Sequence, residues 1–260
     1  MKVTLITHTP DPEKVVAAAA KLCYSKSSIT DLMDGLSDEK VTAFLDRLSS
    51  YGHQTPAEHV SFTFGIEGIS RSCLAQITRH RIASFSVKSQ RYIDMSEANM
   101  VVPPAIAQDG EASEAFSQAI KSAKYAYDHL HHVLEDTHTY ELMSSNPNMT
   151  EKQARAKASK MANEDARFVL PEACETSLIV TMNARELNNF FKLRCCNRAQ
   201  WELKAVADEM LKLVYPIAPH LFKDAGPGCL AGKGCTEGSM TCGLMAQVQD
   251  KYKNIKEALI

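Results

Sequence analysis

The sequence predicts an α+β protein in which helices outnumber strands. Three observations favour this class. Stretches with helical periodicity are more numerous than stretches that alternate as strands do, and the strands do not alternate regularly with helices. In addition, 45% of the 260 residues are hydrophobic and 23% are charged, which is ordinary for a globular chain. At about 150 residues per domain, this length corresponds to one large domain or two small ones.

Local signals place the elements of the N-terminal half in order. Residues 3–8 alternate and are β-branched, as in a strand. Asp11-Pro12 begins the first helix, with Asp as the N-cap and Pro in the first turn. Residues 60–67 alternate apolar and polar side chains, which predicts a half-buried strand. N-caps or capping boxes indicate further helix starts, and glycine or proline indicates helix ends, at Ser37, Gly52, Thr55, Ser70, Asn146, Thr150 and Pro171.

The middle of the chain and the segment that follows it are mainly helical. A loop rich in Ser and basic residues is predicted to follow Arg81 and to end near Pro104. Residues 111–143 hold one long helical pattern, and 176–182 (TSLIVTM) read as a buried strand. Two helices complete the body, over 184–194 and 198–214.

The composition changes towards the C-terminus. Residues 225–243 hold six glycines and no apolar periodicity, which predicts a loop or tail. We therefore predict a catalytic domain over 1–222 and a Gly/Cys-rich C-terminal tail over 223–260. Three cysteines of this tail are spaced x5 and x6, as Cys229, Cys235 and Cys242. They could ligate zinc or form a redox pair, but they lack the paired C-x2-C form of a zinc ribbon, so free thiols are favoured and no metal site is predicted.

Charge and hydropathy exclude several classes of protein. The 29 Lys+Arg against 31 Asp+Glu leave a net charge of −2, whereas a nucleic-acid-binding protein usually carries a basic excess. No run approaches the roughly 20 apolar residues that a membrane span requires. The N-terminus lacks the apolar core of a signal peptide. We therefore expect a cytoplasmic protein whose eight cysteines are reduced.

The densest polar group in the sequence is a basic, hydroxyl-rich segment. It starts with Arg79-His80-Arg81 and continues with Ser84, Ser86, Lys88, Ser89, Gln90 and Arg91. Arginine offers a planar fork that binds phosphate oxygens, and hydroxyls add further donors. Adjacent cations repel each other unless an anion neutralises them. The pattern indicates an anion site, with a solvated basic loop as the alternative.

A second group of polar residues surrounds the end of the strand over 176–182. Asn183 ends this strand and can cap the next helix. Arg185 and Asn189 stand four residues apart and share a helical face. Arg167 and Arg194 add two further cations.

Together these motifs resemble those of flavin-dependent thymidylate synthases. Arg79-His80-Arg81, followed after seven residues by Ser89, is similar to the RHR-x7-S signature of that family. Further segments match in the same order, over roughly residues 50–215: Gly52–Pro56, Glu58-His59, Arg167–Pro171, Asn183–Arg185, Asn189, Leu193-Arg194 and Ala199–Glu202. The signature is specific because it joins several separated motifs. The resemblance implies a single domain with a central mixed or antiparallel sheet flanked by long helices, and a homotetramer with active sites at subunit interfaces.

The resemblance also implies roles for individual residues. Positions that bind FAD are matched by Thr55, Arg79, His80, Arg81, Asn183, Arg185 and Asn189. Positions that bind dUMP are matched by Gln76, Arg79, Ser89, Gln90, Arg91, Arg167 and Arg194, some of them reaching the nucleotide from a neighbouring chain. Arg194 takes the catalytic position credited with favouring ionisation of the uracil N3, and His53 matches the folate region.

The implied reaction converts dUMP to dTMP. Methylenetetrahydrofolate is the carbon donor, NADPH reduces FAD, and the reduced flavin supplies the hydride, so tetrahydrofolate is released. No cysteine lies in a Pro-Cys-His setting, and Ser89 has no evident general base, so we assign Ser89 to binding. Val87 departs from the family pattern, since Glu is frequent at that position.

Three alternatives accompany this interpretation. The basic segment could instead be an RNA- or nucleotide-binding patch, although only Phe85 and Tyr92 supply aromatic side chains for base stacking. A flavin-dependent reductase of another substrate would keep FAD but would not need both Arg167 and Arg194. A histidine cluster at His129, His131, His132 and His138 could suggest a metal, but these side chains point in different directions and no flanking carboxylate or cysteine completes a site, which favours a solvated helix face.

Overall fold

The computed structural model describes residues 1–231 and 234–259. Gly232, Lys233 and Ile260, which belong to the predicted tail, lie outside the described residues. The chain divides into two compact units. The first comprises Met1–Glu67, Ala75–Ser86 and Leu178–Ile260, and the second comprises Gly68–Leu74 and Val87–Ser177.

A four-stranded antiparallel sheet with strand order β1-β2-β4-β3 organises the fold. The strands are β1 (Lys2–His8), β2 (Ser61–Ser70), β3 (Ala83–Val87) and β4 (Glu175–Asn183). β1 pairs with β2 so that Val3 lies opposite Ile66 and Leu5 opposite Phe64, with an irregularity between Leu5 and Thr7.

The helices of the first unit build its core against this sheet. In chain order they are α1 (Pro12–Leu22), α2 (Ile29–Asp34), α3 (Asp38–Tyr51), α4 (Arg71–Ile77), which begins in the second unit, α8 (Ala184–Arg194), α9 (Trp201–Val214) and α10 (Met245–Glu257). Phe62, Phe64 and Ile66 of β2 are fully buried, because alternate side chains of a strand share one face. Phe190 and Phe191 of α8 are buried too, and Phe191 meets Phe222 edge to face.

The last helix of the first unit is anchored by one buried tyrosine. Tyr252 of α10 is 1% exposed, and its hydroxyl donates to the Cys195 carbonyl oxygen over 2.9 Å. The carboxylate of Asp208 on α9 is a second acceptor for the same O–H, which the two oxygens share. The C-terminal helix therefore has a buried polar attachment as well as apolar contacts.

Two long helices dominate the second unit. They are α6 (Gly110–Ser145) and α7 (Glu151–Ala166), preceded by the single-turn α5 (Pro104–Ala107). A capping box at Thr150 and Gln153 begins α7. The face of α7 that is fully buried consists of alanines at every fourth position, Ala154, Ala158, Ala162 and Ala166. Such small side chains allow close approach between packed helices.

Much of the predicted secondary structure is confirmed. The α+β class, β1, β2, β4 and most predicted helices match, including the Thr150 capping box. Four of these helices and strands were not predicted: α2, α5, α10, and β3, which lies inside the predicted Ser-rich loop. The capping box predicted at Thr55 is wrong, because Thr55–His59 forms a 3-10 turn whose N-cap is Gln54 and has no side-chain cap.

Two further points concern the extent of the fold. The boundary between a catalytic domain and a tail at residue 222 stays a prediction. Among the helices formed by the described residues, none is both long and apolar enough to cross a membrane.

Candidate active site

The site begins at the junction between β4 and α8. Asn183 ends the strand in an extended conformation, and its side-chain oxygen accepts the Glu186 backbone N–H over 2.8 Å. This is the N-cap bond expected of asparagine. It places Glu186 in the first turn of α8, where its side chain is turned inward and the residue is only 7% exposed. The sequence analysis did not single out Glu186.

The Glu186 carboxylate holds a buried histidine. Nδ1 of His80 lies 2.7 Å from Glu186 Oε1, and His80 is only 5% exposed. On its other side, Nε of Arg194 donates to His80 Nε2 over 3.1 Å. A guanidinium group can only donate. His80 Nε2 is therefore unprotonated, and Nδ1 carries the proton and donates it to the carboxylate.

His80 is neutral in this arrangement. Burial lowers the pKa of His80, the charge of Arg194 lowers it as well, and the hydrogen bond to Glu186 opposes both effects. We therefore describe the His80–Glu186 contact as a hydrogen bond from a neutral imidazole to a carboxylate. The three side chains form a relay in which Glu186 sets the tautomer of His80 and His80 orients Arg194.

Arg194 and the two arginines that flank His80 in the sequence have no carboxylate as ion-pair partner among the described residues. Burial lowers the pKa of the Arg194 guanidinium, and the charge of Arg79 lowers it further. In the part of the chain that the structure describes, no carboxylate forms an ion pair with Arg79, Arg81 or Arg194. Cations that repel each other in a partly desolvated place are stabilised by an anion. The geometry thus favours a negatively charged ligand here.

A cavity of about 810 Å³ lies in the first unit and contains two of the predicted residues. His53 and Asn189 both line it. Asn189 also contacts the relay, since its Nδ2 lies 3.4 Å from each Glu186 oxygen. This volume is within the range of small-molecule sites.

In the part of the chain that the structure describes, two predicted FAD residues of the first unit, Thr55 and Arg185, form no hydrogen bond or ion pair with the relay. Thr55 is exposed in the 3-10 turn. Arg185 forms an ion pair with Glu58, and both side chains are roughly half exposed. An exposed pair of this kind contributes little to stability, so the Arg185 guanidinium can exchange Glu58 for another anion.

The predicted residues of the second unit form a group of their own. Arg91 pairs with the Glu164 carboxylate over 2.7 Å, and Nε of Arg167 donates to the Glu164 carbonyl oxygen over 3.0 Å. Ser89 Oγ accepts the backbone N–H of Arg91 over 3.2 Å. Gln90 is buried and accepts from Arg71 over 2.9 Å.

The sequence analysis overlooked one carboxylate, that of Glu135, beside the histidines of α6. The sequence analysis found no carboxylate beside them, but ligand atoms of His131, His132 and Glu135 lie within 4.8 Å of one another. Glu135 follows His131 by one helical turn, which brings the two side chains to one face. The Nε2 atom of His131 is also 3.3 Å from Ser159 Oγ.

The fold presents an arginine-rich site, suited to an anionic ligand, beside a neutral, positioned histidine. Residues 4–220 match the family model described as thymidylate synthase complementing protein. Two relatives are named flavin-dependent thymidylate synthase. The protein from Clostridium tetani is 48% identical over 252 residues, which cover 97% of each chain. The protein from Geobacter sulfurreducens is 48% identical over 257 residues, 98% of this chain and 99% of the relative. The chain belongs to the family of flavin-dependent thymidylate synthases.

A solved structure shares the fold. The crystal structure of a flavin-dependent thymidylate synthase from Helicobacter pylori, complexed with FAD and dUMP, matches with a TM-score of 0.59 and 24% sequence identity. The match covers 87% of this chain and 100% of that one. The family resemblance that the sequence motifs suggested is confirmed.

Proposed function

We propose that the protein catalyses the reductive methylation of dUMP to dTMP, with methylenetetrahydrofolate as carbon donor and NADPH as reductant of FAD, releasing tetrahydrofolate. The observation that carries this proposal is the Glu186–His80–Arg194 relay, which presents an oriented guanidinium beside Arg79 without a carboxylate to neutralise it. Family membership supports the reaction, and the anion preference of the relay supports a nucleotide substrate.

The residues present fit FAD. A flavin dinucleotide carries two phosphates, and Arg79 and Arg81 offer exposed guanidinium groups without an ion-pair partner among the described residues. Asn189 lines the cavity beside His53, which we assign to the folate region. We propose that FAD is held by Thr55, Arg79, His80, Arg81, Asn183, Arg185 and Asn189. When bound, FAD supplies the hydride chemistry that side chains lack.

Arg194 is the catalytic residue in this proposal. Its guanidinium favours the ionised form of the uracil N3, because a cation in a partly desolvated place stabilises a developing anion. His80 fixes one edge of the planar guanidinium by accepting its Nε–H. The remaining N–H groups are left to bind the substrate. The chain therefore contributes a positive charge, on the Arg194 guanidinium, that is held in one orientation.

The residues of the second unit are proposed to bind dUMP. Arg91 and Arg167 both contact Glu164. Ser89 and Gln90 directly precede Arg91 in the sequence. The Arg91–Glu164 pair is roughly half exposed, and such pairs are worth at most about 1 kcal/mol. A phosphate, with more charge and more acceptor atoms, can replace Glu164 at Arg91. In the first unit, Gln76 and Arg79 carry the same assignment.

We also infer a homotetramer in the cytoplasm, with active sites shared between subunits. The second unit exposes large aromatic side chains, with Tyr125, Tyr140 and Phe168 at 74%, 76% and 81% exposure. Exposed apolar side chains of this size are typical of interaction surfaces. Light scattering coupled to size-exclusion chromatography measures the assembly directly.

The test of the proposed function is Arg194→Ala with Arg155→Ala as the matched control, since Arg155 lies on the exposed surface of α7. We expect Arg194→Ala to abolish dTMP formation while the visible flavin spectrum persists, and Arg155→Ala to behave as the unaltered protein. Loss of FAD from Arg194→Ala would contradict the assigned role. A protein that stays colourless after incubation with FAD would refute the function, and a flavoprotein without dTMP formation would point to another reductase.

A further inference from the structure

Two histidines and a glutamate of α6 bring their ligand atoms together in the second unit. One nitrogen of His131, one nitrogen of His132 and one oxygen of Glu135 all lie within 4.8 Å of one another. Glu135 follows His131 by four residues and His132 by three, and both spacings make side chains neighbours on a helix. The sequence favoured a solvated helix face here because this carboxylate was overlooked. With Glu135 included, one helical turn supplies two nitrogen donors and one oxygen donor.

The two nitrogens of the His131 ring have different neighbours. Nδ1 lies 3.9 Å from Glu135 Oε2, which is too long for a hydrogen bond. Nε2, on the other side of the ring, lies 3.3 Å from Ser159 Oγ of α7. Metal-binding histidines commonly donate their second ring N–H to an oxygen atom. The Ser159 hydroxyl is placed to accept this N–H, which leaves the lone pair of Nδ1 for a metal ion.

The separation of these atoms fits the length of metal–ligand bonds. Bonds from zinc to imidazole nitrogen and to carboxylate oxygen are each about 2.0–2.2 Å long. One ion between His131 Nδ1 and Glu135 Oε2 therefore spans their 3.9 Å separation. His132 is exposed, so its ring can turn towards the same point.

The packing of the second unit holds the His131 ring in place. This ring stacks on Tyr127, with the ring centroids 6.2 Å apart and 28° between the planes. Tyr127 is fully buried. Its hydroxyl donates to Asn163 Oδ1 over 3.0 Å and accepts the Met95 backbone N–H over 3.1 Å. Because its neighbours already fix the ring, His131 loses little side-chain entropy when it binds a metal ion.

The charge around this group favours a cation. The rings of His131 and His132 meet edge to face with their centroids 6.1 Å apart. Two protonated rings at this distance repel each other, whereas two neutral rings can share one metal ion. Together with the Glu135 carboxylate they then carry one negative charge. Asp128 precedes His132 by one helical turn and adds a second.

We propose that His131, His132 and Glu135 bind one zinc ion, with water in the fourth position of a tetrahedral site. Two Zn–N bonds and one Zn–O bond replace three bonds from zinc to water, the released water passes to solvent, and no oxidation state changes. Imidazole ligands favour zinc over the hard cations magnesium and calcium, which prefer oxygen ligands. Solvent reaches the fourth position because His132 is exposed.

The consequence for the second unit is a link between its two long helices. A zinc-bound His131 donates its Nε2–H to Ser159, so the ion on α6 orients a contact to α7. An ion that binds the native chain better than the unfolded chain also stabilises the native state. The three ligands are not among the residues assigned to dUMP or FAD. Zinc binding is measured without turnover, so this inference is tested independently of the proposed reaction.

The experiment is isothermal titration calorimetry of full-length, untagged protein with zinc chloride. We expect about one ion per chain at this site and no binding of magnesium chloride. His132→Ala and Glu135→Gln should each weaken zinc binding at least about tenfold, and Ser159→Ala, which removes only the partner of a ligand, about tenfold. His129→Ala is the matched control, because His129 is an exposed histidine of the same helix that stacks on Tyr125. It should bind zinc as the unaltered protein does.

The remaining outcomes overturn the proposal. They are no zinc binding by the unaltered protein, zinc binding that His132→Ala and Glu135→Gln both retain, as ions held by cysteines would show, and an equal loss in His129→Ala. If the variants do not fold, crystals of the unaltered protein soaked in zinc chloride locate the ion by anomalous scattering. We expect a peak between His131, His132 and Glu135, and a peak only elsewhere, or none, would be decisive against the site.

Discussion

Replacing Glu186 by Gln tests the relay with a change of a few atoms. The carboxylate accepts from His80 Nδ1 and from Asn189 Nδ2. Oε1 accepts from both donors at once, so a carboxamide keeps both hydrogen bonds only when its oxygen, and not its NH2 group, faces His80. In the orientation that places NH2 at His80, the imidazole must move its proton to Nε2, where Arg194 already donates. Arg194 would then lose its acceptor.

The size of the effect follows from burial. A hydrogen bond to a charged group contributes about 1.5–3 kcal/mol, and leaving a buried donor unpaired costs a similar amount. At about 1.4 kcal/mol per factor of ten, this corresponds to roughly a 10- to 100-fold loss in kcat/KM for dUMP. Because Glu186 raises the pKa of His80, its removal also lowers that pKa. The acid limb of the activity profile should therefore move to lower pH.

The assay is steady-state dTMP formation as a function of dUMP concentration and pH, with flavin content measured on the same samples. Glu202→Gln is the control, since Glu202 is also buried, at 2% exposure, on a different helix. Flavin content should not change in Glu202→Gln, and in Glu186→Gln it corrects the measured rates for any loss of FAD, because His80 and Asn189 are also proposed to hold FAD. Unchanged kcat/KM, or an acid limb that stays in place, would refute the relay, and an equal loss in Glu202→Gln would indicate general damage to the core.

Two further predictions concern stability and pH. Burial depresses the pKa of His80 below 6.5 in the native state, so below that pH the unfolded chain binds a proton that the native chain does not. The free energy of unfolding should therefore fall as pH drops below about 6.5. In His80→Asn, thermal unfolding measured between about pH 5 and 7 should show a smaller decrease in stability. Burial also lowers the pKa of Lys256 from 10.5 to about 8. This shift corresponds to a destabilisation of the native state by at most about 3 kcal/mol. Lys256→Met should therefore be more stable than the unaltered protein at pH 7, and urea titrations should show this difference shrinking as pH rises from 8 to 10.5; a difference independent of pH would contradict the assignment.

The elements predicted correctly have strong periodicity and their own end signals. β2 alternates from Ser61 to Glu67. α8 follows a buried strand directly and begins at a capping asparagine. By contrast β3 alternates Ser with apolar residues over five positions, too few to be distinguished from a polar loop. The helix α10 follows the Gly-rich segment, and its anchor, Tyr252, is recognisable only by its contact with Asp208.

The candidate site likewise contains residues that the sequence predicted and residues that only the structure shows. Separated motifs identified the arginines, His80 and the asparagines, because the family resemblance places each of them. Glu186 looks like a surface glutamate in an amphipathic helix, and only its distance to His80, 106 positions away in the chain, shows its role. Asn197 likewise meets Cys242, 45 positions later, only through tertiary structure.

The junction of β4 and α8 has no linker, since Asn183 is the last residue of the strand and Ala184 the first of the helix. Arg194 therefore stands one helix length, about 16 Å, from the end of the strand, at an angle set by the count of residues between them. One inserted or deleted residue would turn the arginine by about 100° away from His80. The composition of this helix can drift over evolutionary time, but its length cannot. Among relatives, we expect insertions to accumulate on either side of it and to be missing within it.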